Sequence, residues 1–163
     1  MGLSNKLHLF FGLGLLDVHV QMSVDFNGNV TSEIMINDRL TNLPVKPGDA
    51  ISATLCLETN SAGTAFYGLA NETTSQTMNL TIDTCFQPAF NINTGITRDN
   101  NFNGPPEPLA RFGVVYFDEL LAFTPNGNRL LTNGTPTTMT DFNGSIVATP
   151  YRISDLSFKV IRQ

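Results

Sequence analysis

The chain is 163 residues long, 41% hydrophobic and 14% charged, which supports one folded domain over residues 1–163 with a buried core. Its net charge of −5, with nine scattered Lys and Arg, excludes a nucleic-acid partner, because no cationic surface is available to replace phosphate counterions. No apolar stretch approaches the roughly 20 residues of a membrane-spanning helix.

Charge at this level is well below the roughly 25% of an average soluble domain. Thr, Asn, Ser and Gly fill the polar positions, and short β-type runs are closed by Gly, Asn or Pro turns, the pattern of a sandwich or barrel. Leu7–Leu13 and Asp17–Phe26 are the first runs, with Gly12 and Gly14 marking the bend. Asn27-Gly28 is a hairpin signal and leads into Val30–Ile36. The Pro47-Gly48-Asp49 turn precedes a three-stranded meander, Ala50–Glu58, Ala62–Leu69 and Thr77–Asp83. Within it, Met78-Asn79-Leu80-Thr81-Ile82 alternates cleanly, which predicts one buried and one wet face. Phe86 to Pro108 reads as a long loop, and Glu119 to Phe123 as a short helical turn. Arg111–Phe117, Asn143–Thr149 and Ser157–Ile161 complete the strands, with no convincing internal repeat.

Lys6 followed by Leu7 to Leu16 has the superficial order of a secretory signal. Glycines and a histidine interrupt it, and no small-x-small cleavage site precedes Asp17, so strand, turn and strand is the expectation. Five sequons begin at Asn29, Asn71, Asn79, Asn133 and Asn143. A chain this rich in Asn, Ser and Thr generates them by chance, and the compartment stays open. Cys56 and Cys85 allow one disulfide or two free, buried thiols. With His8 and His19 as the only histidines, no metal and no cofactor is expected.

Segments in one order resemble the glutamic peptidases (eqolisins) from about residue 10 to the C-terminus. Phe10-Phe11-Gly12-Leu13-Gly14 resembles the family's Trp-Val-Gly-Ile-Asp-Gly motif. Val20-Gln21-Met22-Ser23-Val24-Asp25-Phe26 resembles its Leu-Gln-x-Gly-Val-Asp-Phe strand. Pro47-Gly48-Asp49-Ala50-Ile51 is similar to its Gly-Asp-x-Ile opening, and Asn71-Glu72-Thr73-Thr74-Ser75-Gln76 to its Asn-x-Thr-Thr-Gly-Gln hairpin. Leu109-Ala110-Arg111-Phe112-Gly113-Val114-Val115-Tyr116-Phe117 looks like its Phe-Ala-x-Phe-Gly-x-Val-x-Phe strand. The resemblance implies an antiparallel two-sheet β-sandwich, concanavalin-like, that lacks the family's first strands and so part of an edge. A second copy of the chain could fill that edge.

The family hydrolyses peptides with a Gln–Glu dyad: the carboxylate takes a proton from water and the amide donates to the developing oxyanion. Gln21 matches the glutamine. Counting back from Phe112-Gly113 puts Thr94 where the glutamate belongs, and a threonine hydroxyl cannot serve as that base. The aspartate of the Trp motif falls on Gly14, its tryptophan on Phe10, and a further glutamate near Asn37. Asp99 or Glu107 could slide into the missing place. His19 shares a strand face with Asp17 and Gln21, where it could carry protons or simply be solvated.

The expected site is therefore a concave groove presenting Gln21 and His19 as chemical groups. Phe10, Met35, Asn37 and Thr94 would line it. Its function is binding of a small-molecule or peptide ligand without proteolysis, or a reaction such as isomerisation or cyclisation in which hydrogen-bond polarisation suffices. The competing readings are a secreted acid endopeptidase with its carboxylate elsewhere, and a structural or carbohydrate-binding sandwich.

Overall fold

In a computed structural model, the structure describes residues 5–13, 16–25, 27–57, 64–83, 92–98, 109, 111–124 and 126–163; of 5–13, 57 and 92 it describes the backbone alone. The chain divides into two compact units, Met1–Thr97 and Arg98–Gln163. Among the described residues no helix is long and apolar enough to cross a membrane.

Among its described residues, the first unit has eight strands. β1 (Asn5–Leu13), β2 (Leu16–Val24), β3 (Val30–Ile36), β4 (Arg39–Leu40) and β8 (Ile92–Thr97) form a five-stranded sheet in the order β4-β3-β2-β1-β8. β5 (Ile51–Leu57), β6 (Thr64–Asn71) and β7 (Gln76–Asp83) form the expected meander. All of their pairings are antiparallel.

Period-two alternation explains how the two sheets meet. Leu16, Val18 and Val20 of β2 join Ile34 and Ile36 of β3 and Ala65, Tyr67 and Leu69 of β6 in one buried cluster. Met78, Leu80 and Ile82 pack against it from β7, whereas Asn79 and Thr81 between them are exposed. The core thus lies between the two sheets, as a sandwich requires. Ile34 and Ile36 are fully buried, each contributing about 1.5–3 kcal/mol of transfer free energy.

Three expectations are corrected. The loop expected over Phe86 to Pro108 contains β8, an edge strand that pairs with β1. The helical turn expected from Glu119 to Phe123 gives way to a hairpin of β10 (Ala122–Thr124) and β11 (Gly127–Arg129), with Glu119 at a φ of 54°. Cys56 is a free, exposed thiol rather than a buried one, and Cys85 lies outside the described residues.

The second unit holds β9 (Val114–Phe117), β12 (Met139–Thr140), β13 (Ile146–Arg152) and β14 (Phe158–Arg162) in the order β12-β13-β14-β9. Ala148, Phe158 and Val160 are buried there, and the Phe117 and Phe158 rings stack with centroids 4.6 Å apart. Arg152 and Asp155 form an ion pair at its surface.

One sequon is part of the framework. Asn71 is 0% exposed; its Nδ2 donates to the Pro44 carbonyl at 2.9 Å and to Asp49 Oδ2 at 2.7 Å, and its Oδ1 accepts from Thr74 N–H. The nitrogen that a glycan would need is therefore occupied inside the fold. Truncating this side chain strands buried polar groups, so Asn71→Ala is expected to lose about 1–3 kcal/mol in urea unfolding.

Asp49 is held below its ordinary 3.8 chiefly by the Asn71 side chain, then by the Lys46 N–H. Asp25 is held below it chiefly by the Asn29 side chain and backbone. A lowered carboxyl contributes stability that is complete above about 3.8 and disappears as pH falls through the lowered folded value. Asp49→Asn is therefore expected to flatten the acid limb of a stability–pH curve below 3.8, leaving the curve parallel to wild type above it.

Candidate functional site

The same alternation that sends Leu16, Val18 and Val20 inward puts Asp17, His19, Gln21 and Ser23 on the opposite face of β2. The β2–β3 register carries that face across the hairpin. His19 lies opposite Met35, Gln21 opposite Glu33 and Ser23 opposite Thr31. On the other side of β2, Gln21 pairs with His8 and His19 with Phe10. β8 then continues these rows, with Thr97 opposite His8 and Gly95 opposite Phe10.

His19 is 5% exposed although it is on the side away from the core cluster. Its Nδ1 lies 2.6 Å from Asp17 Oδ2; with Asp17 ionised, Nδ1–H is the donor, which fixes the ring's orientation and tautomer. A buried imidazole oriented by a carboxylate is an arrangement suited to proton transfer. Gln21 is half-buried, and its Nε2 makes one long contact, 3.5 Å to Ser23 Oγ. At that length the contact is weak, so the amide is poorly committed to the scaffold. No described carboxylate accepts a hydrogen bond from it.

The polar stripe ends at Ser23. Asp25 belongs to the β2–β3 turn, where its Oδ1 accepts the N–H groups of Asn27 and Asn29 and its Oδ2 accepts from Asn29 Nδ2.

The expected groove residues separate into three groups. Gln21, His19 and Met35 share the outer face, and Phe10 occupies the register position beside His19. Asn37 is instead taken up by the framework. It sits with Asp38 at positive φ in the two-residue turn between β3 and β4. Its Oδ1 accepts from the Asp17 N–H at 2.9 Å and from the Tyr67 hydroxyl at 3.2 Å, and its own N–H donates to the Asp17 carbonyl. Tyr67 is fully buried. Burial raises its hydroxyl above the ordinary 10.0, the Asn37 acceptor opposes that, and the Asp17 charge adds to it.

Thr94 requires a correction. It pairs with Phe11, and Phe11 with Val18, which is 4% exposed in the core. Directly paired residues share a face, so Thr94 stands on the core side, opposite to Gln21. Its Oγ1 is buried without a hydrogen-bond partner. The β8 positions on the Gln21 face are Asn93, Gly95 and Thr97, none of them acidic. Gly14, Asp99 and Glu107 lie outside the described residues.

Glu33 is the residue that the sequence reading missed. It is exposed, directly opposite Gln21, and engaged in no hydrogen bond or ion pair among the described residues. Its signal was obscured by the turn. A two-residue Asn27-Gly28 turn would pair Gln21 with Ile34, whereas the longer Asp25–Asn29 turn moves the register by one. Among the described residues no three His, Cys, Asp or Glu side chains cluster to hold a metal ion.

Asn37 provides a direct check on this assignment. Asn37→Gly retains the backbone conformation but loses the shared acceptor, with an expected cost of about 1–2 kcal/mol in thermal or urea unfolding. Asn37→Ala adds the left-handed strain and is expected to cost about 1 kcal/mol more. A residue that merely faced a ligand would leave stability unchanged in Asn37→Gly and show only the left-handed strain in Asn37→Ala.

The sequence profile of the Peptidase A4 family matches residues 12–162. A comparison with curated proteins gives no match. Among solved structures, the aspergilloglutamic peptidase from Aspergillus niger is similar at a TM-score of 0.79 and 16% identity, over 98% of this chain and 99% of that one. Scytalido-glutamic peptidase with a peptide-based transition state analog is similar at 0.73 and 16%, over 100% of this chain and 86% of that one. The eqolisin-family peptidase SCP-B, in complex with the tripeptide Ala-Ile-His, is similar at 0.73 and 17%, over 100% and 85%. At these identities the structural likeness establishes the β-sandwich fold.

Proposed function

Because this chain belongs to the Peptidase A4 family, we propose that it binds a carbonyl-bearing ligand, an extended peptide or a small weakly polar molecule, on the outer face of β2 and β3 without hydrolysing it. The observation that carries this reading is the state of Gln21. Its amide is half-buried, held by one 3.5 Å contact, and therefore available to donate to a ligand carbonyl. Two of the solved relatives hold peptide-like ligands, which supports a peptide as the natural occupant.

Hydrolysis needs a second component. A proton acceptor must activate water beside the polarised carbonyl, and its loss typically costs about 10²–10⁴-fold. β8 brings Asn93, Gly95 and Thr97 to the Gln21 face, and an amide, a glycine and a hydroxyl cannot take that proton at acidic pH. Gln21 alone polarises a carbonyl; it does not generate a nucleophile.

The 2.6 Å Asp17–His19 contact favours a second reading, in which the face also supports proton transfer. A ligand with its carbonyl on Gln21 and an acidic C–H beside His19 could be isomerised or cyclised with no water activation.

Incubation with an internally quenched peptide library at acidic pH tests the main reading. The expected result is no cleavage above buffer, with retained binding of the same peptides that falls at least tenfold in Gln21→Ala. Robust cleavage abolished in that variant would overturn it.

A further inference from the structure

Resting on that reading, we infer that Glu33 determines ligand specificity, selecting a peptide whose cationic side chain lies beside the carbonyl held by Gln21. Residues directly opposite in an antiparallel pair have Cβ atoms about 4.5–5.5 Å apart, so a ligand that reaches the Gln21 amide is within reach of the Glu33 carboxylate. The two groups are complementary. The amide donates to a carbonyl oxygen, and the carboxylate accepts from an ammonium or guanidinium.

The surrounding charge favours the same selection. The described side chains of this face on β2 and β3 are Asp17, His19, Gln21, Ser23, Thr31, Glu33 and Met35, which include no Lys or Arg. Asp17 is already committed to His19, whereas no described side chain neutralises Glu33. On β1, His8 pairs with Gln21 in the row that holds Glu33, and Lys6 pairs with Ser23 two residues along the strand. An anionic ligand side chain beside Glu33 would face like charge, and a cationic one would complete a pair.

Because Glu33 is exposed, the selection is modest and sensitive to salt. Exposed ion pairs correspond to about a two- to fivefold change in affinity, screened as ionic strength rises.

The test is a binding profile of N-acetylated, C-amidated hexapeptides, with each position scanned as Lys, norleucine or Glu, against wild type, Glu33→Gln and Gln21→Ala. Wild type is expected to prefer Lys over norleucine by about two- to fivefold at one position. Glu33→Gln is expected to abolish that preference while keeping norleucine binding, and added salt is expected to have the same effect on wild type. A Lys preference unchanged in Glu33→Gln, or a preference for Glu, overturns the inference and leaves the proposed peptide binding standing. Binding unaffected by Gln21→Ala, or no binding of any peptide, overturns both. Cleavage that disappears in Glu33→Gln would make that residue a proton acceptor instead of a charge selector.

Discussion

The site depends on the turn that Asp25 organises between β2 and β3. Its backbone N–H donates to the Asn29 carbonyl, its carbonyl accepts from Gly28, and one carboxylate oxygen accepts the N–H groups of Asn27 and Asn29. Gly28 takes a φ of 84°, a conformation open to glycine at no steric cost. This closure makes the hairpin loop longer than two residues and fixes Val24 opposite Val30. Gln21 then meets Glu33, and Val18 meets Ile36. A slip of one residue would put Gln21 against Ile34 and move an apolar set into water.

The second unit uses the same device. Asp141 Oδ1 accepts the N–H groups of Asn143 and Ser145, its carbonyl accepts from Gly144, its N–H donates to the Ser145 carbonyl, and Gly144 has a φ of 82°. Asp25-Phe26-Asn27-Gly28 and Asp141-Phe142-Asn143-Gly144 are thus one turn sequence used twice. The signal sits in a four-residue identity that a search for longer repeats passes over. A carboxylate accepting two backbone donors supplies what a short, weakly charged hairpin needs, a closed end with its amides satisfied.

Strand existence and facing were legible because alternation is a local signal. Met78, Leu80 and Ile82 face the core as their spacing demanded, and Leu16, Val18 and Val20 do likewise. β8 was not legible. Ile92-Asn93-Thr94-Gly95-Ile96-Thr97 carries a glycine and an asparagine, residues depleted in strands, and its pairing with β1 is a contact across about eighty residues that no local pattern encodes. Thr94 was misplaced for the same reason: counting along a sequence finds a position, and only the register decides its face. Asn37 was misread because a turn residue and a groove residue can have the same type. The Tyr67 hydroxyl and the Asp17 N–H settle its role by taking its side-chain oxygen.

The chemistry follows from which groups the register brings together. A polarising amide and an oriented imidazole share one strand, two residues apart, which spaces them by about 6.6–6.8 Å along β2. That spacing suits a ligand that extends along the strand. Glu33 lies across from the amide instead of along from it, and its exposure leaves it hydrated. A hydrated surface carboxylate attracts a cation weakly and selectively. To deprotonate a water held against a carbonyl, it would have to be brought into a shared, partly desolvated pocket with Gln21, where proton acceptors gain their driving force. Glu33 is exposed where it pairs with Gln21, and that solvation favours the proposed attraction of a cation over proton abstraction.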